Sequence, residues 1–191
     1  MGKIFPIKTL HLRLLNKFIP ILRRYKYKFH PNIKLANGVR IGSHVTLKNW
    51  NGGNIEVGER TCIEDNAMIM TMGGDVVIGA DSTVNPYTVI YGQGGCRIGN
   101  GVRIAAHCTI IPSNHQFDDP SIPIYRQGLI NKGIVIEDDV WIGTGVRILD
   151  GVCVTKGCVI GAGSVVTKST EPFGVYVGVP ARRIKERKRL I

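Results

Sequence analysis

Residues 136–166 read IEDDVWIGTGVRILDGVCVTKGCVIGAGSVV, and a branched aliphatic falls at every sixth place: Ile136, Ile142, Ile148, Val154, Ile160 and Val166. A helix repeats at about 3.6 residues and a simple strand at about 2, so neither explains this spacing. A short strand followed by a turn does. Four residues after each aliphatic except the last comes a smaller side chain: Val140, Val146, Val152, Cys158 and Ser164. One large and one small inward residue per side suit a coil whose corners are tight. Gly or Ala often follows the large residue, as at Gly143 and Gly161, where the turn backbone needs freedom.

The same register extends back through Leu35, Ile41, Leu47; Val57, Ile63, Ile69; Ile78, Val84, Ile90; and Ile98, Ile104, Ile110. Spacing within each group of three is again six. The excess residues, four, three, two and then twenty, follow Leu47, Ile69, Ile90 and Ile110, always after the third member of a group. Three sides therefore make one coil, and insertions leave from a single corner of the prism. The prediction is an all-β chain: a parallel β-helix of about six triangular coils over 35–181, with a long loop at 111–135. Large side chains stack on large ones between coils.

The chain has 191 residues, enough for one domain with a real core. Its formal net charge of +11 is uneven. Residues 1–34 hold nine Lys and Arg and no acid, and residues 182–191 hold six basic residues and one acid. The body between them carries ten basic and thirteen acidic residues, a balance of −3 that is no nucleic-acid surface. The five cysteines form no CxxC and no zinc spacing; Cys108 and Cys158 fall at small inward positions. They read as reduced core residues, which points to the cytoplasm. No apolar run is long enough to span a bilayer, and Arg13 and Lys17 break up the apolar N-terminal stretch, so a signal peptide is not expected.

Residues 4–22 read as a short amphipathic helical segment, with Ile7, Leu10, Leu14, Phe18, Ile21 and Leu22 near one face and Pro6 and Pro20 limiting its length. It either caps the open first coil or lies on an anionic membrane, which would put the protein at the membrane's inner face. The run 182–191 reads as a basic helix face or tail. In the long loop stands His115, whose imidazole is suited to take a proton near neutral pH. Loops of this length in compact repeats are usually functional, but a solvated loop histidine is equally compatible with the residues alone. His107 and His44 sit inside the repeats, as exterior side chains.

The pattern resembles the hexapeptide-repeat acyltransferases, whose coils wind left-handed. From Ile98 through Ile184, and above all in NHQFDDPSIP followed by IVIEDDVWIGTGVRILDGV, it is most similar to the galactoside, maltose and polysaccharide O-acetyltransferase branch. The resemblance implies transfer of acetyl from acetyl-CoA to a sugar or glycan hydroxyl, with His115 as general base and no metal. Asn85 matches an asparagine that contacts the acceptor, although a corner Asn in a left-handed turn would also suit that place. Thr144 matches the residue whose backbone amide faces the thioester carbonyl. Ala162, Thr167 and Lys168 match further coenzyme contacts. In GVPARRIK, Arg182 and Lys185 match positions that meet the nucleotide phosphates, where cations are needed. Trp141 either walls the cleft or simply covers its coil.

A homotrimer with clefts between neighbouring prisms is a further implication of the resemblance. The chain departs from the pattern in two places. A short basic segment replaces the N-terminal helical domain of the maltose and galactoside enzymes, and YGQGG at 91–95 lacks an acidic residue they carry. Both changes touch the acceptor, and favour a surface polysaccharide or its lipid-linked precursor over a free disaccharide. Three alternatives stand beside this reading: acyl transfer to an amine, a zinc hydratase on the same fold, which needs three converging histidines, and a non-catalytic scaffold.

Overall fold

The computed structural model describes residues 22–188, together with Ile19. The amphipathic segment expected over 4–22 lies almost wholly outside the described residues. The rest winds into a prism with three parallel sheets as its faces. The first face stacks Ile33–Leu35, Ile55–Val57, Val76–Ile78, Cys96–Ile98, Ile134–Ile136 and Cys153–Val154. The second stacks Arg40–Ile41, Cys62–Ile63, Thr83–Val84, Arg103–Ile104, Trp141–Ile142 and Val159–Ile160; the third stacks Thr46–Lys48, Met68–Met70, Val89–Tyr91, Thr109–Ile110, Arg147–Ile148 and Val165–Val166. These are the six coils of the sequence reading. Register is strict, so Val84 pairs with Ile104 and Ile104 with Ile142.

The large and small inward residues do what their sizes predict. Ile63, Ile90, Ile104, Ile110, Ile142 and Ile148 are buried, each stacked on its neighbour in the next coil. Where the small residue is polar, it satisfies a backbone group of an adjacent turn. Thr61 Oγ1 donates to the Gly79 carbonyl (2.7 Å), Ser82 Oγ to Gly99 (3.0 Å) and Thr88 Oγ1 to Ala105 (3.0 Å). A buried hydroxyl without such a partner would cost about 1–3 kcal/mol. All five cysteines are free thiols, and burial pushes that of Cys96 up to about 12.

Two tyrosines close the ends. Tyr27, at the end of the 3₁₀ turn Arg24–Tyr27, is buried against the first coil. Tyr176 takes the inward place beyond Ile160, and its hydroxyl accepts the Glu171 N–H (2.7 Å). Tyr176 belongs to a seventh strand on the second face, Gly174–Val177. The last segment then departs from expectation. Arg182–Glu186, read from sequence as a helix face or tail, is a β-strand antiparallel to Gly174–Val177. The reason is the open edge that Gly174–Val177 would otherwise present; the tail supplies its missing hydrogen bonds.

Candidate active site

The edge between the second and third faces carries one left-handed residue per coil: His44, Asn66, Tyr87, His107, Gly145 and Gly163, with φ between 56° and 70°. In the first four coils this place holds a side chain that projects from the edge. Tyr87 and His107 stack there with ring centroids 5.0 Å apart and planes within 4°. In the last two coils the place is bare. A Cβ built on Gly145 or Gly163 meets nothing within 4 Å, so no neighbour in the chain requires glycine there. The result is a strip of naked backbone along coils five and six, termed the trench because the side chains of the earlier coils stand higher along the same edge. Gly143 is different: a Cβ there would sit 2.6 Å from the Ala162 nitrogen, so that glycine serves coil packing.

Thr144 and Ala162 flank the bare positions, both exposed. The surrounding backbone is tied, with Gly145 N–H donating to Ala106 and Gly163 N–H to Thr144. The N–H groups of Thr144 and Ala162 themselves have no partner among the described residues. Two amide donors without a partner among the described residues thus lie on the bare stretch, the kind of group that stabilises a developing oxyanion.

The adjoining second face supplies positive charge. A bulge lies between the pairs Val175–Lys185 and Tyr176–Arg183. Cross-strand partners share a face of the sheet. The bulge therefore puts Arg182, opposite Val177, and Lys185, opposite Val175, on the same outward side, although residues three apart in a regular strand point opposite ways. Two of the tail's other cations are occupied. Arg183 pairs with Glu171 (2.6 Å), and Arg187 with Asp139 (3.0 Å) and the Gly157 carbonyl (2.7 Å). Arg182 and Lys185 have no carboxylate partner among the described residues. Trp141, 56% exposed, stands on this outward side in register with Arg103 and Val159.

Asn85 lies one place from the same edge, two coils before Thr144. It does not adopt the left-handed turn; Tyr87 does. Its Nδ2 donates to the Ile104 carbonyl (2.7 Å), which fixes the amide plane and leaves Oδ1 to accept. Two predicted contacts are not gathered here. Thr167 and Lys168 are exposed at the opposite margin of the third face.

His115 is also elsewhere. Its loop leaves the edge between the third and first faces, and Asn114–His115 pairs with Leu129–Ile130 as an antiparallel arm enclosing the helical turn Ile124–Gln127. Between Asn114 and Gly128, every hydrogen bond among the described residues stays within the arm. Asp119 is held by Ser121, whose hydroxyl (2.6 Å) and N–H (2.9 Å) donate to one carboxylate oxygen and keep the acid below its usual range. The His115 ring is exposed and has no hydrogen-bond partner among the described residues. Phe117, Ile122, Ile124, Tyr125 and Leu129 are exposed along the arm. Among the described residues, no three His, Cys, Asp or Glu side chains converge as a metal site requires.

Residues 133–168 match the family model for the bacterial transferase hexapeptide (six repeats). An Escherichia coli K12 protein named for O-acetyl transfer in lipopolysaccharide biosynthesis is 32% identical over 144 residues, 71% of this chain and 74% of that protein. The chain belongs to the hexapeptide-repeat transferase family. A Mycobacterium tuberculosis family member named as an acetyltransferase is 32% identical over 81% of this chain, which spans only 50% of that protein's length. Among solved structures, the Bacillus cereus N-acyltransferase AntD, bound to dTDP-4-amino-4,6-dideoxyglucose and coenzyme A, superimposes with a TM-score of 0.74 at 28% identity, covering 87% of this chain and 90% of AntD. Hexapeptide-repeat relatives thus include both O- and N-acyl transfer. The glycines of GTG at 143–145 and GAGS at 161–164 mark open backbone in the sequence itself; what sequence reasoning missed is that the same corner carries His44, Asn66, Tyr87 and His107 in the earlier coils. Aligning that one position of the repeat would have shown it.

Proposed function

We propose that this protein transfers acetyl from acetyl-CoA to a hydroxyl of a sugar or glycan, in surface polysaccharide or glycan biosynthesis in the cytoplasm, with His115 as general base. The observation that carries the reading is the trench: bare edge at Gly145 and Gly163, unpaired amides at Thr144 and Ala162, and unpaired Arg182 and Lys185 beside it. A long polyanionic thioester needs all three. Coenzyme A would lie along the trench with its phosphates toward Arg182 and Lys185, and Trp141 at the side. Thr167 and Lys168 would meet it only at the far margin of the third face.

The chemistry is direct transfer. His115 takes the hydroxyl proton as that oxygen attacks the thioester carbonyl. The oxyanion forms near the Thr144 N–H. The C–S bond then breaks, and the imidazolium returns its proton to the departing thiolate. Asn85 Oδ1 accepts from an acceptor hydroxyl and so aligns it. His115 and the trench occupy different edges of one prism; among the described residues the arm is bonded only to itself, and it bears exposed apolar side chains. We read the site as completed between neighbouring prisms, the arm of one over the trench of the next, in a homotrimer.

A second reading, N-acylation of an amino sugar carried on a nucleotide, is favoured by the extent of the match to AntD. It keeps the trench and changes only the acceptor.

Titration calorimetry with acetyl-CoA tests the trench through Gly163→Asn. Asn66 occupies the equivalent place at φ 60°, so the fold accepts the substitution and the melting temperature stays near that of the wild type. The new side chain would fill the space assigned to the coenzyme. An overpacking cost of about 1–3 kcal/mol raises the Kd roughly tenfold to a hundredfold. An unchanged Kd would place the coenzyme elsewhere.

A further inference from the structure

The end of the prism opposite the coenzyme trench has a surface of its own. Residues 22–34 carry Arg23, Arg24, Lys26, Lys28 and Lys34 and no acid. Only Lys34 has a carboxylate partner among the described residues, Glu56 at 2.9 Å. The segment is pinned by Tyr27, which is 6% exposed and reaches the Val45 carbonyl (3.5 Å). Because Tyr27 faces inward, its neighbours face out. Leu22 is 60% exposed, Tyr25 52% and Phe29 89%, more than any other large apolar side chain described. The cations lie among these rings: Lys28 Nζ is 5.7 Å from the Tyr25 ring centre and 5.6 Å from that of Phe29. An open groove of about 660 Å³ runs beside them, with Arg24, Lys28 and His30 on its wall.

These charges do not serve the coenzyme of the same prism. Coils stack at about 4.8 Å, so coil one is roughly 24 Å from coil six and its trench. Lysine and arginine beside exposed aromatics form the pattern that seats a protein at a lipid headgroup layer. The cations meet phosphate, and the rings enter the boundary with the acyl chains. Aromatic side chains of this kind are not required for attraction to a nucleic-acid backbone, which charge alone supplies.

We propose that the first-coil end docks on an anionic phospholipid surface, with Lys26 and Lys28 on the headgroups and Tyr25 and Phe29 inserted. This rests on the end surface alone and is independent of the acetyl-transfer reading. Docking there would leave the trench at the far end open to soluble acetyl-CoA.

The test is co-sedimentation of the full chain with vesicles of phosphatidylcholine alone and of phosphatidylcholine with about a third phosphatidylglycerol. Binding is expected only to the anionic vesicles and weakens with added salt. Lys26→Glu/Lys28→Glu lowers the partition coefficient about 30-fold or more, at roughly fivefold per basic residue before the repulsion of the new acids. Tyr25→Ser/Phe29→Ser also lowers it, in a way that salt does not reproduce. Both variants keep the wild-type thermal unfolding transition, which shows that they are folded. The proposal is overturned if the full chain stays in the supernatant with anionic vesicles, binds both vesicle types alike, or loses nothing in the two variants. Retention by single-stranded DNA without vesicle binding would also overturn it, in favour of a nucleic-acid surface.

Discussion

His115→Ala lowers kcat for acceptor-dependent coenzyme A release by about 10²–10⁴-fold, the usual worth of a positioned general base. Binding of acetyl-CoA, measured by calorimetry, is unchanged, because the bare edge, the Thr144 and Ala162 amides and the Arg182 and Lys185 cations assigned to the coenzyme are left intact. The pH profile separates a base from a structural residue. Wild-type activity rises with pH through one inflection, because a general base must be free of its proton to act. In the variant, that inflection is lost. Loss of activity with the inflection retained would assign the proton transfer to another group.

Arg182→Ala/Lys185→Ala raises KM for acetyl-CoA about a hundredfold and leaves kcat at saturation near the wild-type value. A hydrogen bond to a charged group is worth about 1.5–3 kcal/mol. Both side chains are exposed, so about 1.4 kcal/mol each is the safer figure, and that is tenfold apiece. The companions Arg183→Ala and Arg187→Ala supply the contrast. Those arginines are held by Glu171 and Asp139 and leave KM unaltered. They cost under about 1 kcal/mol of stability, read by thermal unfolding. If all four behave alike, the tail acts as diffuse charge and the bulge has no part in recognition.

Why these four cations differ is not legible in the chain. GVPARRIK shows a cluster, and similarity to relatives points to Arg182 and Lys185. The physical cause is a register shift opposite Val175 and Tyr176, which brings residues three apart onto one side. No local pattern announces a bulge. The prism, by contrast, was legible almost whole. Its large and small inward residues fall at fixed places, and a slip of one residue would turn every isoleucine outward. The closing tyrosines were not, since Tyr27 and Tyr176 stand outside the repeat and are recognised only when the ends need covering. The strand Arg182–Glu186 escaped for a related reason: its run of charges reads as solvated, and solvated it is, yet its backbone completes an edge. His115 was visible as the histidine of the long insertion. Its separation from the trench edge was not, because insertion length says nothing of direction.

The two edges bear on specificity as well. Asn85 and the Tyr87–His107 stack share an edge with the trench, so under the proposed reading the acceptor passes exposed rings to meet the thioester. A pyranose can lie against such rings, which suits a glycan acceptor better than a small charged amine.

The most direct test of the account is the product of the wild-type enzyme given acetyl-CoA and paired acceptors, a glycan bearing free hydroxyls and an amino sugar on a nucleotide. The account predicts coenzyme A release that depends on the hydroxyl acceptor, and an acetyl ester removed by mild alkali. An alkali-stable amide formed only on the amino sugar would contradict O-acetylation, and a chain that binds acetyl-CoA yet releases no coenzyme A with either acceptor would contradict sugar acyl transfer itself.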